Sequence, residues 1–169
     1  MERLGTITFT KGEVTITDPC YDKGTWCSAV IQNVHKGEWS AMMNVMDTGS
    51  WGNRVESLTV KAVGQTVVRH ERVNAEIGVD AGVCGIFEDK PDYTGDWSNV
   101  CDEMRSDFGG IADPDNAFRC VGVWSSSGYG DGCYDAYVGY NSDGEVVEIT
   151  IDYGVECDDD YEADEDEDY

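Results

Sequence analysis

From Val147 to Tyr153 apolar and polar side chains alternate without a break, Val147, Ile149, Ile151 and Tyr153 against Glu148, Thr150 and Asp152. A period of two is the repeat of a β-strand, so the segment is stable only with one face in a core and the other in water. Related patterns run through the chain. Residues 6–10 and 13–17, with Ile7 and Phe9 answering Val14 and Ile16 across Lys11-Gly12, predict a hairpin. Residues 38–47 and 55–63 predict two longer strands about the turn Thr48-Gly49-Ser50-Trp51-Gly52-Asn53, with Leu58, Val60 and Ala62 on one face. Weaker patterns cover 66–69 and 75–79. Stronger ones cover 82–87, 118–124, 133–140 and 145–153, the last two joined by Asn141-Ser142-Asp143-Gly144.

One segment departs from this period. Over residues 96–108, Trp97, Val100, Cys101, Met104 and Phe108 recur at intervals of three and four, Asp96 supplies an N-cap and Gly109-Gly110 a stop, which predicts a helix. Many short strands and a single helix imply a mainly β fold, an antiparallel β-sandwich or strongly bent sheet with the helix covering an edge or open end. An α+β layer is the alternative. At 169 residues the chain fits one domain. That domain is assigned to residues 1–155, and 156–169 reads as a disordered acidic tail, because acids and tyrosines there cannot bury enough apolar surface to offset ordering.

Charge narrows the functions available. Acids outnumber bases 35 to 11, and ten of the acids follow residue 155; the remainder still carries 25 against 11, a formal charge of −14. Nucleic-acid affinity comes largely from Lys and Arg displacing counterions, so direct DNA or RNA binding is disfavoured. The same field attracts basic proteins and divalent cations. No basic stretch precedes an apolar run at the N-terminus, and no apolar run approaches the ~20 residues that span a bilayer. A cytoplasmic protein without a membrane partner is expected. Its seven cysteines, with no Cys-x-x-Cys spacing, then read as reduced and mostly buried thiols. The composition leaves the oligomeric state open.

The densest motif is Ser127-Gly128-Tyr129-Gly130-Asp131-Gly132-Cys133-Tyr134. Its glycines permit positive φ and close backbone approach, while Asp131 and Ser127 offer a carboxylate and a hydroxyl. It is either a binding loop or a turn capped by its own Asp. A phosphate cradle fits poorly, since a carboxylate sits among the amides and no Lys or Arg follows Arg119. Asp18, Asp80, Asp89 and Asp131 all fall at predicted strand ends; if these ends meet, an all-oxygen site for Ca2+, Mg2+ or Mn2+ results. Counting from Asp113 or Asn141, no EF-hand spacing is met. His70 lies in the polar run Arg69-His70-Glu71-Arg72, a solvated strand face, and nothing pairs His35 or His70 with a cysteine. No Gly-x-Ser-x-Gly elbow is present. The five tryptophans read as core and turn packing.

In order along the chain stand Asp18-Pro19-Cys20-Tyr21, Gly78-Val79-Asp80-Ala81-Gly82 with Phe87-Glu88-Asp89, and the 127–134 motif with Val138-Gly139-Tyr140 and Asp143-Gly144. This order resembles an uncharacterised bacterial and phage family, a domain of unknown function with an Asp-Pro turn, an Asp-Ala-Gly strand start and a Ser-Gly-x-Gly-Asp-Gly-x-Tyr loop. The resemblance spans most of the body and excludes the tail. It implies a shared fold and a shared site, made of Asp18, Tyr21, Asp80, Gly82, Ser127, Gly128, Gly130, Asp131, Gly132 and Tyr134, and names no reaction.

Two expectations of function follow. The first is a non-enzymatic acidic module that binds a basic protein, as a phage or mobile-element antagonist of host defence would. The second is a divalent-metal-dependent hydrolase using Asp131 with Asp80 and Asp18, or a small-ligand binder on the same glycine loop.

Overall fold

In the computed structural model the described residues are 1–21, 25–91, 97–104 and 108–155, the side chains of Trp97, Ser98 and Glu103 aside. The predicted tail at 156–169 and the predicted N-cap Asp96 lie outside them. Among the described residues twelve strands are present: β1 (Glu2–Phe9), β2 (Glu13–Thr17), β3 (Ala29–Gln32), β4 (Gly37–Asp47), β5 (Asn53–Ala62), β6 (Arg69–Arg72), β7 (Ile77–Val79), β8 (Val83–Glu88), β9 (Gly109–Ala112), β10 (Val121–Ser126), β11 (Gly132–Tyr140) and β12 (Val146–Asp152). A helix, α1 (Trp97–Met104), precedes β9. The strands build two antiparallel sheets. One has seven strands in the order β1-β4-β5-β12-β11-β6, with β7 also on β11; the other has five, β3-β2-β8-β10-β9.

The alternation read in the sequence is what closes this sandwich. Trp39, Ala41 and Met43 of β4, Leu58 and Val60 of β5, and Val147, Ile149 and Ile151 of β12 face Val14 and Ile16 of β2, Cys84 and Ile86 of β8, and Val123 of β10 in one core. The five-stranded sheet is buried on its second face as well. Phe87 and Trp124, each next in sequence to an inward residue, pack there with Phe118, Ala112 and Val100 of α1. Burial on both faces explains why β8 and β10 read as continuous apolar runs. The helix therefore covers a sheet face, where an edge or open end was expected. Its predicted stop also differs: Gly109 and Gly110 begin β9 instead of ending the helix, and Phe108 is exposed. Gly109 has no room for a side chain, since a Cβ there would stand 2.8 Å from the Trp124 carbonyl oxygen, and one at Gly110 would press on the Trp124 indole nitrogen at 3.1 Å.

The predicted hairpin of β1 and β2 is not formed. β1 pairs with β4, and β2 with β3 and β8, so the two strands belong to opposite sheets. Ile7 and Phe9 still meet Val14 and Ile16, but across the core instead of along a ladder. The connection is an arch held by Glu88, nearly buried, whose Oε2 accepts the Thr10 and Lys11 backbone N–H groups, both at 2.8 Å. Gly12, at φ 73°, completes the reversal, and its carbonyl accepts the Val34 N–H. Periodicity also missed β3 and placed β6 three residues early: pairing with Tyr137 to Tyr140 on β11 fixes β6 at Arg69–Arg72.

Candidate functional site

The antiparallel register brings the end of β7, the start of β8, the end of β10 and the start of β11 to one end of the sandwich. Because β7 and β11 belong to one sheet and β8 and β10 to the other, residues 80–82 and 127–131 both cross between sheets. They form two arches side by side, and the Ser127 N–H donates to the Gly82 carbonyl at 3.1 Å to join them. Gly82, at φ 72°, has space for a Cβ only 4.0 Å from Asp131 Oδ1. The Gly-Asp-Gly loop and the Asp-Ala-Gly turn, far apart in sequence, are thus one surface.

Each arch is fixed from within. The Ser127 hydroxyl donates to the Gly130 carbonyl at 2.7 Å, the Gly130 N–H donates to the Ser127 carbonyl at 2.9 Å, and the Tyr134 hydroxyl reaches both carbonyls, at 2.9 and 2.6 Å. Gly128, at φ 59°, is required twice over: a Cβ would also strike Val155 Cγ2 at 2.8 Å. Beneath the loop, Tyr134 packs edge-on to Tyr153 at 5.1 Å, and the buried Tyr153 hydroxyl and Ser125 Oγ lie 2.9 Å apart. Burial pushes the Tyr134 and Tyr153 hydroxyls up, and pushes up the thiol of Cys84 beside Tyr153. These groups keep their protons at neutral pH, and the Tyr134 hydroxyl serves as a donor. Tyr153 and Ser125 are site residues that motif reading passed over; the signal was a tyrosine on the inward side of a strand, whose hydroxyl needs a partner.

The other arch is stapled by Asp18. This carboxylate is fully buried: Oδ2 accepts the Asp80 and Ala81 N–H groups, both at 2.8 Å, and Oδ1 accepts the Cys20 N–H at 2.8 Å. Its own turn, Asp18-Pro19-Cys20-Tyr21, closes with the Tyr21 N–H on the Asp18 carbonyl, with proline in the favoured second place. The Tyr21 carbonyl accepts the buried Lys90 ammonium at 2.5 Å. Burial raises the Cys20 thiol, and the neighbouring Asp18 carboxylate raises it further; burial and the adjacent Cys27 raise the Tyr21 hydroxyl.

Asp18 is therefore a brace for the site instead of a ligand within it, which corrects the metal set. Asp89 stands at the opposite end of the six-residue β8, about 20 Å from Asp80 by strand rise, where it lies 3.8 Å from Lys11 Nζ. Of the four aspartates, Asp80 and Asp131 are the two exposed at the arch end. Among the described residues no group of three or more His, Cys, Asp or Glu side chains is placed to hold a metal ion. The two histidine rings bond carboxylates, His35 to Glu145 at 3.2 Å and His70 to Glu148 at 2.8 Å. None of the six described cysteines is paired in a disulfide; Cys27, Cys84 and Cys120 are buried, Cys20 and Cys101 half-buried, and Cys133 exposed at the start of β11.

The tryptophans divide. Trp39 and Trp124 are core residues as expected, but Trp26 and Trp51 are 86% and 62% exposed. Trp51, in the 3-10 turn between β4 and β5, meets Tyr129 of the glycine loop edge-to-face at 6.2 Å, and the Arg54 guanidinium lies 5.4 Å from the Tyr129 ring centre. Away from the arches, a cleft of about 250 Å3 opens between the edge strands β3 and β6, lined by Val30, Arg72 and Tyr140 among others. No helix among the described residues is long and apolar enough to cross a membrane. No protein-family model, curated protein or solved structure matches this chain.

Proposed function

We propose that this protein is a non-enzymatic binding module that captures a basic protein surface with its arch end. The observation that carries this reading is the presentation of Asp80 and Asp131: both are exposed, on adjacent arches whose backbones are already held by Asp18, Ser127 and Tyr134. Such carboxylates meet a partner with little further ordering, and ordering cost is what most weakens loop-borne contacts. Asp47 and Asp152 also stand toward the arch end and add to its negative charge. Val155, the last described residue, lies against the site of Gly128 at the same end.

A surface of this sign competes with phosphate for Lys and Arg, so a nucleic-acid-binding protein is the natural partner, and blocking one is what a phage or mobile-element antagonist of host defence would do. The test is titration calorimetry with a mixed Lys/Arg peptide at low and high salt, on the parent and on the double variant Asp80→Asn, Asp131→Asn. Binding that weakens steeply with salt, and by roughly tenfold in the double variant, is expected from two exposed ion pairs. Affinity indifferent to salt and to both substitutions would overturn the reading.

A further inference from the structure

Four aromatic side chains are exposed on large scale among the described residues, Trp26, Trp51, Phe108 and Tyr129, at 86, 62, 43 and 47%. Single exposed aromatics need no explanation, but a concentration of them does. The register puts all four at the arch end. Tyr129 is in the 127–131 arch itself, and Trp51 touches it. Phe108 immediately precedes β9, and its carbonyl accepts the Ser126 N–H at 2.7 Å, where β10 enters the arch. Trp26 precedes Cys27, whose carbonyl accepts the Gly78 N–H at 2.8 Å, and Gly78 pairs with Cys133 at the start of β11. Two of the exposed aliphatic residues, Val63 and Val68, lie at the other end, beyond β5 and before β6.

Inside this group the chain makes a contact of its own that shows what the aromatic surface accepts. Arg54 donates its Nε–H to the Trp51 carbonyl at 3.0 Å and carries its guanidinium to the face of Tyr129, while Asp47 and Asp131 stand on the flanking turns. An aromatic face beside a carboxylate suits a guanidinium better than an ammonium, because the guanidinium is planar, weakly hydrated and able to stack while its edge donates to oxygen. Trp, Tyr and Arg are also the residue types that dominate the centres of protein interfaces. We propose that Trp51, Tyr129 and Arg54, with Trp26 and Phe108 around them, form a contact patch that reads arginine side chains on the basic partner.

This inference rests on the acidic-capture reading and names what that reading left open, the preference of Arg over Lys. The experiment titrates the full chain with an oligo-arginine and an oligo-lysine peptide of equal length and charge, following both heat and tryptophan emission. The arginine peptide is expected to bind about fivefold more tightly, the size of a partly exposed cation–π contact. Trp51→Ala and Tyr129→Ala should each remove most of that preference and leave oligo-lysine affinity unchanged, and Trp51→Phe should retain part of it. Both side chains are exposed, and unchanged melting of the variants confirms that they fold. Equal affinity for the two peptides, or a preference that survives Trp51→Ala, overturns the arginine patch and leaves acidic capture standing. Failure of both peptides to bind at low salt overturns acidic capture itself. Should neither peptide bind while an uncharged oligosaccharide quenches Trp51, the patch is a sugar platform and the proposal is overturned.

Discussion

Replacing Asp18 by alanine tests the interior logic of the site most directly. Three backbone N–H groups lose their acceptor at once: Cys20 on one oxygen, Asp80 and Ala81 on the other. Hydrogen bonds to a charged group contribute about 1.5–3 kcal/mol each when the groups stay buried. Asp80 and Ala81 are exposed, however, so water can take over their amides and these two bonds count at the low end. The alanine also removes a desolvated carboxylate, which offsets part of the loss. The balance is a destabilisation of about 3 kcal/mol, which in a domain of this size lowers Tm by roughly 6–12 °C. Asp18→Asn keeps one acceptor oxygen for Asp80 and Ala81 but turns an NH2 group toward the Cys20 N–H, so it should cost about half as much. Thermal and urea melts measure both variants, and hydrogen exchange at Asp80 and Ala81 locates the effect. An Asp18→Ala protein melting within about 2 °C of the parent, with unchanged exchange at those amides, would refute the staple. So would a rise in the parent's Tm on adding Ca2+, Mg2+ or Mn2+ that Asp18→Ala abolishes, because it would show the carboxylate serving a metal.

Gly122→Ala should destabilise by about 2–3 kcal/mol or more in a urea melt, since a Cβ there would stand 2.4 Å from the Ile86 carbonyl oxygen and overpacking at such a point has no easy relief. Glu145 has its carboxyl pKa lowered by the Asn141 amide and then by His35, so its contribution is present above its unfolded value, near 4.5, and is lost as pH falls through the lower folded value. Glu145→Gln should therefore melt below the parent at neutral pH and together with it well below pH 4; a gap that persists in acid would show the loss is not electrostatic. In native protein a thiol reagent should modify the exposed Cys133 first and reach the fully buried Cys84 only on unfolding, with mass spectrometry reporting the order of labelling.

The strands were legible because each side chain on a half-buried strand is sorted by solvent, and that sorting is local. Val147, Ile149, Ile151 and Tyr153 face inward as their alternation required, and Leu58, Val60 and Ala62 line the core side of β5. The Gly-Asp-Gly loop was legible as a site candidate because glycines at positive φ mark a backbone that side chains cannot follow. What the sequence could not determine is which strand pairs with which. Ile7, Phe9, Val14 and Ile16 carry the same pattern whether β1 and β2 form a hairpin or face each other across a core; the choice fell to β4 and β8, distant in sequence, which supply ladders to each. The same holds for the carboxylates. Asp18, Asp80, Asp89 and Asp131 look alike as residues at strand ends, and only the tertiary structure turned one into a buried acceptor for three amides, sent one to the far end of the sandwich and left two facing solvent together. Hydrophobic sorting acts residue by residue along the chain, whereas a carboxylate takes its role from the backbone amides and charges that folding brings within hydrogen-bond reach.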